Sequence, residues 1–194
     1  MKSMSGPIVL ARVRAVLAAA TPAELDRARR AAVALVLHEH EGALSALLVR
    51  RAERVGDPWS GHMALPGGHE HPTDRDLLHT AQRETLEEVG LDLERAELLG
   101  RLDDVSPLRS SEMTVRPFVF VLPELPTLSS SDEIAETLWV PLAALASDAL
   151  RATREVEVAG ARFDVPSFVI GQRVVWGMTY HLLERFLAQI LRSA

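Results

Sequence analysis

The chain has 194 residues, 47% of them hydrophobic and 25% charged, which suits one well-buried soluble domain with an extension and is short for two. A formal charge of −6 excludes a broad nucleic-acid face, which needs a basic surface, but admits a small anion whose charge a bound cation reverses. With no cysteine, disulfides, thiolate zinc sites and cysteine nucleophiles are excluded together, and a reducing, cytoplasmic location is expected.

Ile8 to Ala20 is apolar and ends in small residues, but Arg12 and Arg14 interrupt it on one helical face. That spacing predicts an amphipathic helix over Ile8 to Ala19 rather than a signal peptide. No run reaches the roughly 18 uninterrupted apolar residues of a membrane span, so no membrane partner is expected. Thr21 and Pro22 suit the cap and first position of a second helix, running to about Arg30. Residues 1–30 are therefore expected to be a helical extension, with the main domain over 31–194. Ala31 to His38 predicts a strand, Glu41-Gly42 a turn, and Leu44 to Arg50 the hairpin partner.

Arg51 to His71 is punctuated by Gly56, Pro58, Gly61, Pro66, Gly67 and Gly68 and is expected to be irregular. Helical spacing follows from Pro72 to Glu88, with Gly90 placed to end it. Leu98 to Leu102 and Val115 to Leu122 predict strands, Pro117 suggesting that the second lies at a sheet edge or begins after that residue. A polar loop (Pro123 to Asp132), a short strand (Leu138 to Val140) and a short helix (Pro141 to Ala149) come next. A hairpin over Arg154 to Phe163 and a closing amphipathic helix over Trp176 to Leu191 complete the chain. Alternating strands and helices predict an α/β protein, a mixed sheet covered by helices.

The chemistry concentrates in Arg83-Glu84-Thr85-Leu86-Glu87-Glu88-Val89-Gly90. On a helix Glu84, Glu87 and Glu88 stand at i, i+3 and i+4, so three carboxylates share one face. Their repulsion becomes attraction around a divalent cation, and oxygen-only ligands suit Mg²⁺ or Mn²⁺. The plainer alternative for any isolated pattern of this kind is a solvated acidic face. Arg83 can pair with a carboxylate through its planar fork, and Leu65-Pro66-Gly67-Gly68 upstream permits close backbone approach.

Gly68, Arg83, Glu84, Glu87, Glu88, Gly90 and Leu91 together resemble the Nudix box, Gly-x5-Glu-x7-Arg-Glu-U-x-Glu-Glu-x-Gly-U, with U a bulky apolar residue. The first acidic position falls on Asp74, one residue further from Arg83 than the pattern has it, and Thr85 replaces an apolar residue. Both the Asp and the extra residue are similar to the coenzyme A diphosphatase branch of that family. Leu47 to Ala52, Gly61 to Gly68, Arg116 to Val119 and Val175 to Thr179 also resemble that branch, over roughly Ala31 to Leu191. The branch's Arg four residues after Ala52 is replaced by Gly56, and the Asp57-Pro58-Trp59-Ser60 segment makes the spacing one longer.

The resemblance implies a Nudix-type α/β/α sandwich with a mixed β-sheet and a helical N-terminal extension. It implies metal-dependent cleavage of a diphosphate linkage in a small nucleoside-diphosphate-linked substrate, with coenzyme A or a derivative as the leading candidate. ADP-ribose, another nucleoside diphosphate derivative, a nucleoside triphosphate and a non-enzymatic ligand-binding module stay open. Glu84, Glu87 and Glu88 are expected to hold Mg²⁺ or Mn²⁺, the Gly68 carbonyl to add a ligand, and Arg83 to orient a carboxylate. Asp74 is expected behind the ligands or at the helix start. A further base or ligand is expected from Glu133, with Glu136 as second choice, and Arg50, Arg51 and Arg54 are candidate contacts to substrate phosphate. The resemblance also favours a homodimer. His62, His69 and His71 are expected to be loop histidines, Trp59 to stack on a base or pack, Trp139 and Trp176 to belong to the core, and Ser129 to Ser131 to form a flexible loop.

Overall fold

The computed structural model describes residues 8–56, 60–107, 112–158 and 160–192. Its elements in chain order are α1 (Leu10–Ala18), β1 (Arg29–His40), β2 (Ala43–Arg51), β3 (Met63–Ala64), β4 (Gly67–His69) and α2 (Leu77–Val89). There follow β5 (Glu97–Arg101), β6 (Met113–Leu122), β7 (Ile134–Pro141), α3 (Leu142–Ala146), β8 (Arg151–Val158), β9 (Ala161–Ile170), β10 (Arg173–Trp176) and α4 (Gly177–Arg192).

β1 is buried from Ala31 to His38 on both faces, as a central strand must be. It turns into β2 through Glu41 and Gly42, both at positive φ (50° and 77°), the backbone of a tight primed hairpin turn. Along its other edge β6 runs parallel, Ala31 beside Val115 and Leu37 beside Val121, while β5 closes that side antiparallel. The strand order is β3-β2-β1-β6-β5, with β4 joining β1 and β7 joining β2, so the sheet is mixed. Val33, Leu35 and Leu37 face α1 and α4, packing with Val13, Leu17, Leu183, Phe186 and Ile190. Ala32, Ala34 and Val36 face α2, packing with Leu77, Ala81, Val89, Phe118 and Phe120. This is the α/β/α sandwich anticipated above. A second, three-stranded antiparallel sheet, β10-β9-β8, sends Phe168 and Val175 into the α4-side core.

Several sequence expectations need correction. No helix forms over Pro22 to Arg30: the segment crosses the sheet's end as an irregular strap. There the carboxylates of Asp103 and Asp104 take the N–H groups of Ala23 and Leu25 (2.8 and 3.0 Å), and Thr114 donates to the Leu25 carbonyl. Backbone groups satisfied by those long-range partners no longer need a helix. The helix expected from Pro72 starts at Leu77, because Asp76 is extended and its carboxylate accepts the N–H of His79 at 2.8 Å. Pro117 lies in an inner strand, yet its carbonyl accepts from Leu102, beyond the last residue of β5, so the N–H it lacks faces a point where pairing has ended. The hairpin near Gly160 is longer than expected, β10 is a further strand, and the stretch expected to be irregular from Arg51 to His71 contains β3 and β4, held by pairing with β2 and β1. Among the described residues, no helix is long and apolar enough to cross a membrane.

Candidate active site

β4 is pinned antiparallel to β1, which wedges Gly67 and Gly68 between the sheet and α2. A Cβ on Gly67 would stand 2.3 Å from the Ala32 carbonyl oxygen, and one on Gly68 would stand 2.5 Å from the Glu84 carboxylate. The backbone beside Gly67 cannot yield, so that position admits only glycine, whereas beside Gly68 it is the Glu84 side chain that would have to move. Gly68→Ala is therefore expected to push Glu84 aside and lower turnover by about a hundredfold, the cost of displacing a reacting group by about an ångström. Comparing kcat with the melting temperature checks it; an unchanged kcat would mean that Glu84 has room to yield.

Arg83 is the hub of the box. Its Nε and Nη2 donate to both oxygens of Asp74 (2.9 and 3.0 Å), Nη2 also to the His69 carbonyl (3.1 Å), and Nη1 to Glu84 and Glu87 (2.8 and 2.9 Å). All five of its N–H donors are engaged. The Asp74 side chain is fully buried and also accepts from Thr80 and from the His71 N–H, so the guanidinium holds its carboxyl well below the usual carboxylate range. Asp74 thus belongs to the turn before α2, gripping Arg83, while Asp76 caps the helix. Thr85, at the box's apolar position, is fully buried because its hydroxyl donates back to the Ala81 carbonyl at 2.7 Å. At the far end Gly90 adopts φ 68° and donates to the Leu86 carbonyl, the expected C-cap.

Glu88 is only 5% exposed, and its Oε2 accepts the Gly67 N–H at 3.0 Å. Burial pushes its carboxyl up to about 7; Gly67 and Arg51 oppose that, while the charges of Glu84 and Glu133 add to it. Glu84 is raised first by burial, against Arg83, and further by Glu87 and Glu133. Glu87 is exposed. Glu133, on the loop before β7, bonds Arg54 Nη1 at 3.1 Å.

Chemically the set fits a hard divalent cation: oxygen donors only, two of them raised by lost solvent and by the charges of neighbouring glutamates. Among the described residues, no three His, Asp or Glu side chains already converge on one cation point. Arg83 binds one oxygen each of Glu84 and Glu87, and Gly67 one of Glu88, leaving one oxygen of each outside these bonds.

Not every expected residue joins this cluster. Adjacent β2 residues project to opposite sheet faces, so Arg51 acts on Glu88 while Arg50 lies on the α4 face. There Arg50 meets Glu136 (3.4 Å), which Arg173 of β10 also holds at 2.9 Å. Arg50 and Glu136 are therefore a brace between the two sheets. The Ser129-to-Ser131 loop is anchored rather than loose: Ser129 N–H donates to the Val89 carbonyl and Ser131 N–H to that of Glu88 (3.0 and 2.9 Å). Nothing in residue type signalled this, since the bonds come from the backbone. His62 packs edge-on against Trp176, the His71 ring bonds Thr73, and His69 contributes its carbonyl to Arg83. Trp139 packs against the α2-side core, with its ring near His38. Trp59 lies outside the described residues. A hollow of about 440 Å³ between α1 and α4 opens on the other face, with no carboxylate in its lining.

Residues 28–159 match the NUDIX domain model. The human mitochondrial coenzyme A diphosphatase NUDT8 is 32% identical over 182 residues, covering 93% of this chain and 77% of that protein. An uncharacterised Schizosaccharomyces pombe protein is 44% identical over 110 residues, but the match spans only 32% of that protein's length and 51% of this chain. Among solved structures, a NUDIX hydrolase from Alicyclobacillus acidocaldarius superposes with a TM-score of 0.53 at 20% identity, over 86% of this chain and 93% of that one. That likeness concerns the fold alone.

Proposed function

This chain belongs to the Nudix hydrolase family and is a diphosphatase; we propose that it cleaves coenzyme A or a coenzyme A derivative, using Mg²⁺ or Mn²⁺ held by Glu84, Glu87 and Glu88. The observation that carries the metal assignment is the mutual crowding of Glu84, Glu88 and Glu133 beside Gly67 and Gly68, with Glu88 raised to about 7. A cation bound there supplies charge neutralisation at the phosphoryl oxygens and acidifies a water. The Gly68 carbonyl is a further candidate ligand.

The protein's own groups divide the remaining work. Arg83, fixed by Asp74, orients Glu84 and Glu87. Glu133 is the general base, taking the proton of the attacking water, because it stands beside the box on a loop anchored to the end of α2. Arg51 and Arg54 receive substrate phosphate, Arg50 being committed to the other face. Coenzyme A is preferred as substrate because the matched human relative is a coenzyme A diphosphatase.

The test is product analysis after incubation with Mg²⁺ or Mn²⁺ and coenzyme A, ADP-ribose, diadenosine polyphosphates or nucleoside triphosphates, with Glu88→Gln as blank. Release of 3′,5′-ADP and 4′-phosphopantetheine is expected. Cleavage of another compound alone reassigns the substrate, and metal-independent cleavage refutes the cation assignment.

A further inference from the structure

We infer that the Arg54–Glu133 ion pair is a latch opened by substrate: Arg54 exchanges the Glu133 carboxylate for a phosphoryl oxygen of the bound diphosphate, releasing Glu133 to the reaction. The inference rests on the reading above that this site takes a diphosphate.

The two backbones are fixed while the two side chains are free to change partner. Ala52 N–H donates to the Glu133 carbonyl at 2.7 Å, joining the end of β2 to the loop before β7. Ser60 Oγ accepts the Arg54 N–H and donates to the Arg54 carbonyl, both at 2.8 Å, which pins the Arg54 backbone. The side chains of Arg54 and Glu133 are 50% and 54% exposed. An exposed pair of this kind holds weakly. A diphosphate carries more charge than a carboxylate and offers oxygens to the planar guanidinium fork, so it is the stronger partner.

Charge gives the latch a purpose. Glu133 stands close enough to Glu84 and Glu88 to raise both carboxyls, so it is repelled by the groups it serves. Arg54 is the cation bonded to it there. Arg54 is thus a positioning residue for Glu133 before substrate arrives and a substrate contact afterwards. It follows that Glu133 competes with the substrate for Arg54.

That competition can be measured without turnover, by calorimetric titration with ADP and saturating Mg²⁺. Arg54→Gln is expected to weaken ADP binding about tenfold, the loss of one charged hydrogen bond. Glu133→Gln is expected to tighten it about threefold, by freeing Arg54. In the Arg54→Gln background the Glu133 substitution should bring no tightening. Equal tightening in both backgrounds would mean that Glu133 merely repels the ligand, and would overturn the latch, as would the absence of tightening or of ADP binding. Because the readout is binding, a protein that cleaves no coenzyme A yet shows the Arg54-dependent gain keeps the latch and loses only the substrate assignment.

Discussion

Replacing Glu88 by Gln should abolish most turnover, by about a thousandfold, the scale of losing one group that stabilises developing charge. The same change should leave the fold intact and make the metal-free protein more stable at alkaline pH. Gln retains an oxygen to accept the Gly67 N–H and brings no charge into a position that is 5% exposed. The sign follows from linkage. Burial raises this carboxyl from 4.5 to about 7, so between those values the folded chain keeps a proton that the unfolded chain has released. Stability therefore falls as pH rises through that window and is level above it, by about 3 kcal/mol in all at ~1.4 kcal/mol per unit. Melting curves in chelator at pH 5 and pH 8 should show the decline in the parent and lose this component of it in Glu88→Gln. A variant with full turnover, or with the parent's unaltered pH slope, would remove Glu88 from its assigned place.

Asp74→Ala should cost the most stability, about 4 kcal/mol, because it leaves Arg83 without the fully buried carboxylate that binds it at two points. For a domain of this size that is a fall in melting temperature of roughly 10 °C. Turnover should fall too, since Arg83 would lean on Glu84 and Glu87, the groups assigned to the cation. The folded-state carboxyl of Asp74 lies below its ordinary value, so the stability it brings is complete above that ordinary value and is lost progressively as pH falls below it towards the depressed one. Thermal melts from pH 7 down to pH 3 should show the gap between parent and Asp74→Ala narrowing in acid. A variant that melts with the parent at pH 7 would show that Thr80, His79 and the box glutamates hold this turn without Asp74.

Much of the candidate site was legible in residue order because its logic is local. Helical periodicity places Glu84, Glu87 and Glu88 on one face, and Gly90 ends the helix by its positive φ. The apolar run of β1 and the Glu41-Gly42 turn are equally local, and both formed as expected. The strap over 22–28 is not legible locally because Thr21-Pro22 is a sound helix start in isolation, whereas the competing acceptors, Asp103 and Asp104, lie some 80 residues away in the chain.

Residue order alone dictates the carboxylate helix, its stop, the glycine turn in front of it and the strand pair at the centre of the sheet. These follow from spacing and backbone preference within a few residues. Long-range packing, by contrast, sets Arg51 beside Glu88 while its neighbour Arg50 braces the other sheet through Glu136 and Arg173. The same packing makes Gly67 the donor to Glu88 and brings Glu133 to the box beside Arg54. Those outcomes depend on which strands pair and in what register, and register is set by the whole buried surface rather than by any one segment.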